Sequence, residues 1–565
     1  MPCQTIIIRE DKEMNNRQSD TQYQLPEISS AARMLHIAAV MMLAVLLPSA
    51  ALAADTLTVA QVDSMARHYL AQVVAADNDA AQPSVSNGGS FVAMQSGAPA
   101  LAITSEATDA PTVTRKHPWL AVAEVVGINV FVQSFDRFIL NAEFAKINFK
   151  TIGHNFETGF VWDNDQFSTN LFAHPYHGGL YFNAARTNGM NFWESVPYAF
   201  GGSLMWETMG EIEPPAINDL IATTMGGVAI GEVTNRISSL VYDDSKHGFP
   251  RFAREFLGAV ICPIRGLNRI ISGDAWRIRH TGNRYHDYDK LPVSLSLSAG
   301  YRYLADDNAL FRGETSPFVG VDLIYGDPFD ESQNKPYDYF TADVTFNLAS
   351  NQPLISGVHL LGQLWSAPVY SANGMQAEFG FFQHFNYYDS QPVKDGSSMV
   401  PFRISEAASV GPGIIYKFPA MGSLSRLEQR IFGSAILLGG SLSDHYNIID
   451  RDYNMGSGFS AKVQTVMEFG STAQFFIDAD YYRIYTWKGY EGKDLATVDP
   501  LYLNAQGDKG DAQLLVVSPR IRLALSDELA VDMSAYYYAR KTHYKYLSDV
   551  KARTFTVQLG IAYRL

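Results

Sequence analysis

From about Pro292 onward the chain alternates apolar and polar residues with a period of two. In 293–303, Val293, Leu295, Leu297, Ala299, Tyr301 and Tyr303 fall on one face, and Ser294, Ser296, Ser298, Gly300 and Arg302 on the other. Phe340, Ala342, Val344, Phe346 and Leu348 oppose Thr341, Asp343, Thr345 and Asn347 in the same way. Leu515, Val517, Ile521, Leu523 and Leu525 likewise oppose Ser518, Arg520, Arg522 and Ser526. Successive strand side chains point to opposite faces, so each run predicts a strand with one apolar and one polar wall. Residues 117–290 have apolar residues at helical spacing instead, as in HPWLAVAEVVGINVFVQSFDRFI and around 190–212 and 215–241, and predict a helical module.

The period-two runs are long, roughly 11 to 14 residues, where soluble strands average about 5 or 6. Repeated along 291–565, they predict an antiparallel transmembrane β-barrel, with a soluble antiparallel sandwich as the competing fold. Candidate strands begin near residues 292, 316, 337, 355, 376, 402, 430, 457, 472, 512, 529 and 553, which makes twelve. Turn-rich stretches such as YGDPFDESQNKPYD and YNIIDRDYNMGSG separate them as loops. The last run, with Phe555, Val557, Leu559, Ile561 and Tyr563 on one face, resembles the closing strand that barrels present to their assembly machinery. The fold class is therefore mainly β: a C-terminal barrel preceded by a helical module that plugs its lumen or lies beneath it.

Composition agrees with this pattern. Of 565 residues only 18% are charged while 12% are aromatic, which excludes a mainly disordered chain. Mean hydropathy is −0.07, too low for a polytopic helical membrane protein but natural for strands with one polar face. The net charge of −15 offers no broad cationic surface and argues against nucleic acid as a partner. Residues 35–47 (LHIAAVMMLAVLL) precede the small-residue run ending in Ala51-Leu52-Ala53, so 1–53 is expected to be a leader and signal peptide directing export to the outer membrane. An uncleaved anchor is the alternative, and translation starting at Met34 would shorten the leader. Residues 54–116, rich in Ala, Ser, Thr and Gly, read as a flexible linker. Cys3 lies in the leader, which leaves Cys262 without an intrachain partner.

Candidate chemistry is confined to the helical module. WDND places Asp163, Asn164 and Asp165 together, HPYH sets His174 and His177 three apart, Glu207 and Glu211 lie four apart on a predicted helix face, and Asp219 opens the next helix. Such groups make an acid/base or cation site when they converge and are desolvated. No cofactor motif is present, and a divalent cation is the one ion these carboxylates suggest. Each residue also has a plainer role. Asp163 and Asp165 suit Asx turns, Pro175 after His174 breaks the regular helix of a two-histidine zinc motif, and Asn218 and Asp219 suit a helix N-terminus. Glu232 and Arg236 form an i, i+4 pair, while Gly227 and Gly231 have the spacing that lets two helices approach closely. The mature chain has no GxSxG, HExxH, Walker loop or CxxC.

WDNDQFSTN, HPYHGGLYFNAARTNG, GSLMWE (202–207) and INDLIATTMGGVAIGE together resemble a family of exported Gram-negative outer-membrane proteins known only as a domain of unknown function. That resemblance implies the envelope and no activity. DNDQFSTN also resembles the lipid A deacylases, outer-membrane barrels of twelve strands, and on that likeness Asn164, Asp165 and His174 are the positions of interest, although those enzymes carry such residues on barrel strands. Two functions are thus expected. One is a plugged or gated barrel in envelope transport or organisation, with membrane lipids and the barrel assembly machinery as partners and an open oligomeric state. The other is a lipid-modifying hydrolase using the His, Asp and Glu residues of the module.

Overall fold

The computed structural model describes residues 115–278 and 292–564, apart from 163–164, 331–334, 448–450, 492–493, 496 and 498–506. The expected leader, most of the linker, Asp163 and Asn164 lie outside the described residues.

Seven helices come first. They are α1 (Pro118–Phe138), α2 (Phe149–Thr158), α3 (a π-turn Thr169–Ala173 running into His174–Thr187), α4 (Phe192–Met209), α5 (Ile217–Ile221, a π-turn Ala222–Gly226, then Gly227–Val241), α6 (Gly248–Ile261) and α7 (Pro263–Ser272). Local signals set their ends. Asn148 and Asn191 each accept from the third backbone N–H of the helix they open, and Thr151 and Glu194 close the reciprocal bonds. Pro118 and Pro263 occupy first-turn positions, where a missing N–H costs nothing. Gly273, at φ 79°, ends α7 in the left-handed conformation.

Twelve antiparallel strands follow: β1 (Val293–Asp306), β2 (Ala309–Tyr325), β3 (Phe340–Asn347), β4 (Ile355–Ala372), β5 (Met375–Asp389), β6 (Arg403–Phe418), β7 (Arg426–Leu442), β8 (Tyr453–Phe469), β9 (Ala473–Thr486), β10 (Gly510–Ala524), β11 (Leu529–Tyr544) and β12 (Val550–Arg564). Each pairs with its sequence neighbour and β1 pairs with β12, so the sheet closes and leaves no strand edge to be satisfied by water. One rim carries mostly tight turns (373–374, 470–472, 525–528) and the other mostly longer loops (390–402, 443–452, 487–509).

The register shows which face of each strand points inward. Arg520 of β10 bonds Asp322 of β2, although β11, β12 and β1 lie between these strands, so the contact crosses the lumen and Asp322 points inward. Asp322 is opposite Asp343, Asp343 opposite His359, His359 opposite Asn386, and Asn386 opposite Glu406, which carries the inward row from β2 to β6. Leu323, Tyr325, Phe340, Ala342, Val358, Leu360, Phe385 and Tyr387 therefore point outward. These residues are buried in one core with Phe167, Leu171, Phe182, Val228 and Ile230 of the helices. The module neither plugs the lumen nor lies beneath the barrel; it packs on the outer wall. Direct bonds fix it there. Gln383 donates to the Met225 carbonyl at 2.7 Å, Asn170 donates to the Tyr453 hydroxyl at 2.6 Å, and that hydroxyl donates to the Asp165 carbonyl at 2.8 Å. Arg236 bridges Glu232 at 2.8 Å to Asp338 and the Pro336 carbonyl in the β2–β3 loop, while Arg186 holds Glu232 from the other side. The i, i+4 pair of Glu232 and Arg236 expected from the sequence is present, and it belongs to a four-residue network with Arg186 and Asp338 in which Glu232 and Arg236 are buried.

The barrel fills its own lumen. Toward the long-loop rim, Leu304, Tyr388, Ile436, Ile484, Val516 and Tyr538, drawn from strands all round the wall, form one apolar cluster with Val393 and Phe402 of the β5–β6 loop. Phe402 stacks on Tyr538 with ring centroids 3.9 Å apart. A second cluster joins Phe329 of the β2–β3 loop to Leu361, Phe382, Ile415 and Phe432. Polar inward rows pair among themselves: Glu406 accepts from Lys462, Ser434, Ser460 and Asn386 at 2.6–2.8 Å.

Candidate functional site

The polar centre of the module lies where α3 crosses α5. A Cβ on Gly178 would sit 1.7 Å from the Thr223 carbonyl oxygen, and one on Gly227 2.5 Å from the Gly178 carbonyl carbon, so the two backbones touch with no room for a side chain. Both helices carry a π-turn at this level, a feature that recurs at functional sites. The one in α3 has a local cause. Pro175 lacks an N–H and its ring would strike the carbonyl four residues back, and the widened turn just before it, closed by the bond from the His174 N–H to the Thr169 carbonyl, relieves that clash.

The crossing brings His174 and Asp219 together, with Nε2 and Oδ1 3.7 Å apart and both side chains largely buried. Asn218 donates to the same Oδ1 at 2.8 Å and orients the carboxylate. Asn218 and Asp219 lie in the first turn of α5, as the sequence suggests, with Ala216 at the N-cap. The Asp219 carboxylate also faces the imidazole.

His177 lies on the same helix with its ring centroid 4.6 Å from Tyr181 and 5.3 Å from Trp206, and its Nε2 is shielded from solvent without a hydrogen-bond partner. Tyr181 donates to Asn129 of α1 at 2.5 Å. Glu207 is fully buried, and its Oε2 accepts the Ala216 N–H at 2.8 Å, tying the end of α4 to the start of α5. Glu211 does not share its helix face, because α4 stops at Met209 and Gly210 caps it. Asp165 reaches the barrel through its carbonyl, which accepts from Tyr453. Among the described residues no group of three or more His, Cys, Asp and Glu side chains is placed to hold a metal ion. Arg186, Asp338 and Tyr181, which complete the polar centre, were not singled out from the sequence. Their partners lie on other elements, and only a charge on an otherwise apolar helix marks Arg186.

The arrangement is thus a closed twelve-stranded barrel with a helical unit on its wall and a histidine–carboxylate pair inside that unit. Residues 159–264, which hold most of the polar centre, match the family described as "Domain of unknown function (DUF3943)". No curated protein matches the chain. Among solved structures, the NanC porin is 11% identical over 48% of this chain and 100% of its own, with a TM-score of 0.25. OmpT, an outer-membrane protein of Vibrio cholerae, is 8% identical over 48% of this chain and 96% of its own, with a TM-score of 0.21. The outer-membrane channel DcaP of Acinetobacter baumannii is 7% identical over 49% and 97%, with a TM-score of 0.20. Each aligns with about half of this chain.

Proposed function

We propose that the chain is an outer-membrane β-barrel protein whose barrel serves as a closed scaffold in envelope organisation, carrying the helical module on its wall. Closed barrels satisfy every backbone group internally, and the bare outward rows of β9 to β12 and β1, with Ile477, Leu515, Met533, Leu559 and Tyr301 exposed, suit acyl chains. The observation that carries the scaffold reading is the lumen. Apolar and ionic clusters contributed by opposite walls meet in the middle, where a channel needs a wet, continuous path. In planar bilayers the purified full-length protein is expected to give no stepwise conductance, and steady single-channel steps from wild type would overturn the scaffold reading.

The His174–Asp219 pair supports a second reading, a lipid-modifying hydrolase in which the Asp219 carboxylate orients His174 as general base. Asn164 and Asp165 enter this reading only through the lipid A deacylase likeness, and the site stands on helices where those enzymes use strands. His174→Gln and Asp219→Asn are then expected to reproduce the lipid A and phospholipid profile of a deletion strain while leaving protein level unchanged. A deletion strain with the wild-type profile would remove the hydrolase from consideration.

A further inference from the structure

We infer that the helical module is itself embedded in the bilayer, with the outer faces of α1, α6 and α7 in contact with lipid acyl chains. The inference rests on the outer-membrane reading of the barrel and extends it to the part of the chain that sequence reasoning placed in the lumen or in the periplasm.

The first observation is that α1, α6 and α7 turn apolar residues outward and most of their charges inward; the exposed Arg254 of α6 donates back to the Val241 carbonyl at 2.9 Å. In α7, Arg265 and Arg269 are buried while Leu267, Ile270 and Ile271 are exposed, with Arg269 1% and Ile271 70% accessible. Arg269 is bound inside by Asp244 and Glu255, each at 2.7 Å, and Arg265 by Asn235 and Ser239. In α6, Arg251 is buried while Phe249 and Phe252 face outward. In α1, Asn129 and Asp136 point inward, and Trp119, Val122, Val126, Val130 and Phe131 form an exposed face without a charge. Water favours the opposite arrangement, since a buried guanidinium is costly and an exposed aromatic face gains nothing. In hydrocarbon this inversion is the stable state, because polar groups must find partners inside the protein. The 21 residues of α1 extend about 31 Å at 1.5 Å per residue, close to the thickness of a hydrocarbon core. Arg115 and Lys116 lie just before the helix and Arg137 in its last turn, where cationic side chains reach headgroups.

The second observation is where the module touches the wall. On β2 the covered outward residues, Leu323 and Tyr325, are at the short-turn rim; on β4 and β5 they are Val358, Leu360, Phe385 and Tyr387; on β8 they are Tyr453 and Met455, at the long-loop rim. The contact runs obliquely from one rim to the other. A module in the aqueous phase would meet only one rim, whereas this one occupies a strip of the surface that elsewhere presents bare apolar rows.

The test uses the full-length protein with Cys3→Ser and Cys262→Ser, carrying single nitroxide-labelled cysteines at Phe131, Ile271, Leu559 of β12 or Lys394 of the β5–β6 loop. Each is reconstituted in phosphatidylethanolamine–phosphatidylglycerol vesicles and checked for heat-modifiable gel migration. Power saturation with oxygen and a water-soluble nickel chelate reads the surroundings. Labels at Phe131 and Ile271 are expected to match Leu559, with oxygen collisions exceeding nickel collisions several-fold, and Lys394 to show the reverse. Nickel exposure at Phe131 and Ile271 with Leu559 in lipid overturns the inference alone and puts the module in water. Protection of both sites from both reagents also overturns it and indicates a protein cover, such as a second copy. Nickel exposure at Leu559 overturns the membrane reading of the barrel and this inference with it.

Discussion

Replacing Gly178 with alanine is expected to dismantle the helical module while leaving the barrel folded. The added methyl carbon would lie 1.7 Å from the Thr223 carbonyl oxygen and 2.7 Å from its carbon, and both belong to backbone that no rotamer change can move. Relief requires α3 and α5 to separate by more than an ångström, and interiors packed near crystal density transmit such a shift instead of absorbing it. Phe182, Val228 and Ile230, which bind the two helices to the wall beneath, would lose contact together. The expected cost is about 4 kcal/mol or more, at the upper end for single substitutions. Gly201→Ala is the control: no atom lies within 4 Å of the added carbon, and helix propensity favours alanine by about 1 kcal/mol. Limited proteolysis of folded protein in detergent separates the cases. G178A should lose the module to protease while its barrel keeps heat-modifiable migration, and G201A should resist as wild type does. Wild-type resistance in G178A would show that the crossing is looser than these distances.

The same crossing explains what the sequence could and could not disclose. A barrel wall has lipid on one side and lumen on the other, so alternation follows; eleven of the twelve strand starts read from it fall within four residues of the observed ones, and the β2 start, expected near 316, lies seven residues after the observed Ala309. Alternation does not distinguish outward residues covered by helices from those facing lipid. Phe340 and Ala342, under the module, read the same as Leu559 and Ile561, which are bare. The placement of the module was therefore invisible. Its helices read as amphipathic, and amphipathicity alone does not state which face is inside; the buried Arg265 and Arg269 decide that only once their partners are seen. At the candidate site, His174 and Asp219 stood out as polar residues in an apolar setting. Their pairing depends on a glycine-on-glycine contact between elements some forty residues apart and on two π-turns that helical periodicity does not announce. Glu211 was misassigned because a four-residue spacing implies one helix face only while the helix continues, and Gly210 ends it.

Arg520→Ala is expected to produce the largest loss of stability in the barrel without opening it. Arg520 donates to Asp322 at 2.7 Å across the lumen and to Asp532 at 2.8 Å on the neighbouring strand, and Arg522 binds the same two carboxylates at 3.2 and 2.7 Å. Removing one guanidinium leaves two enclosed carboxylates sharing a single cation, and breaking a buried pair from one side costs about 3–5 kcal/mol. Asp322→Asn in the Arg520→Ala background removes the stranded charge, so the double variant should be more stable than the single one; the difference between them measures the unpaired charge. The readout is the urea concentration, or the temperature in gel-loading detergent, at which the folded band converts to the unfolded one. Conductance gives an independent check on what seals the lumen. The apolar cluster of Tyr388, Phe402 and Tyr538 toward the long-loop rim is untouched by this change, so R520A should remain closed in planar bilayers. Channel steps in R520A with none in wild type would transfer the seal from the aromatic cluster to the ionic network and make the crossing arginine a gate.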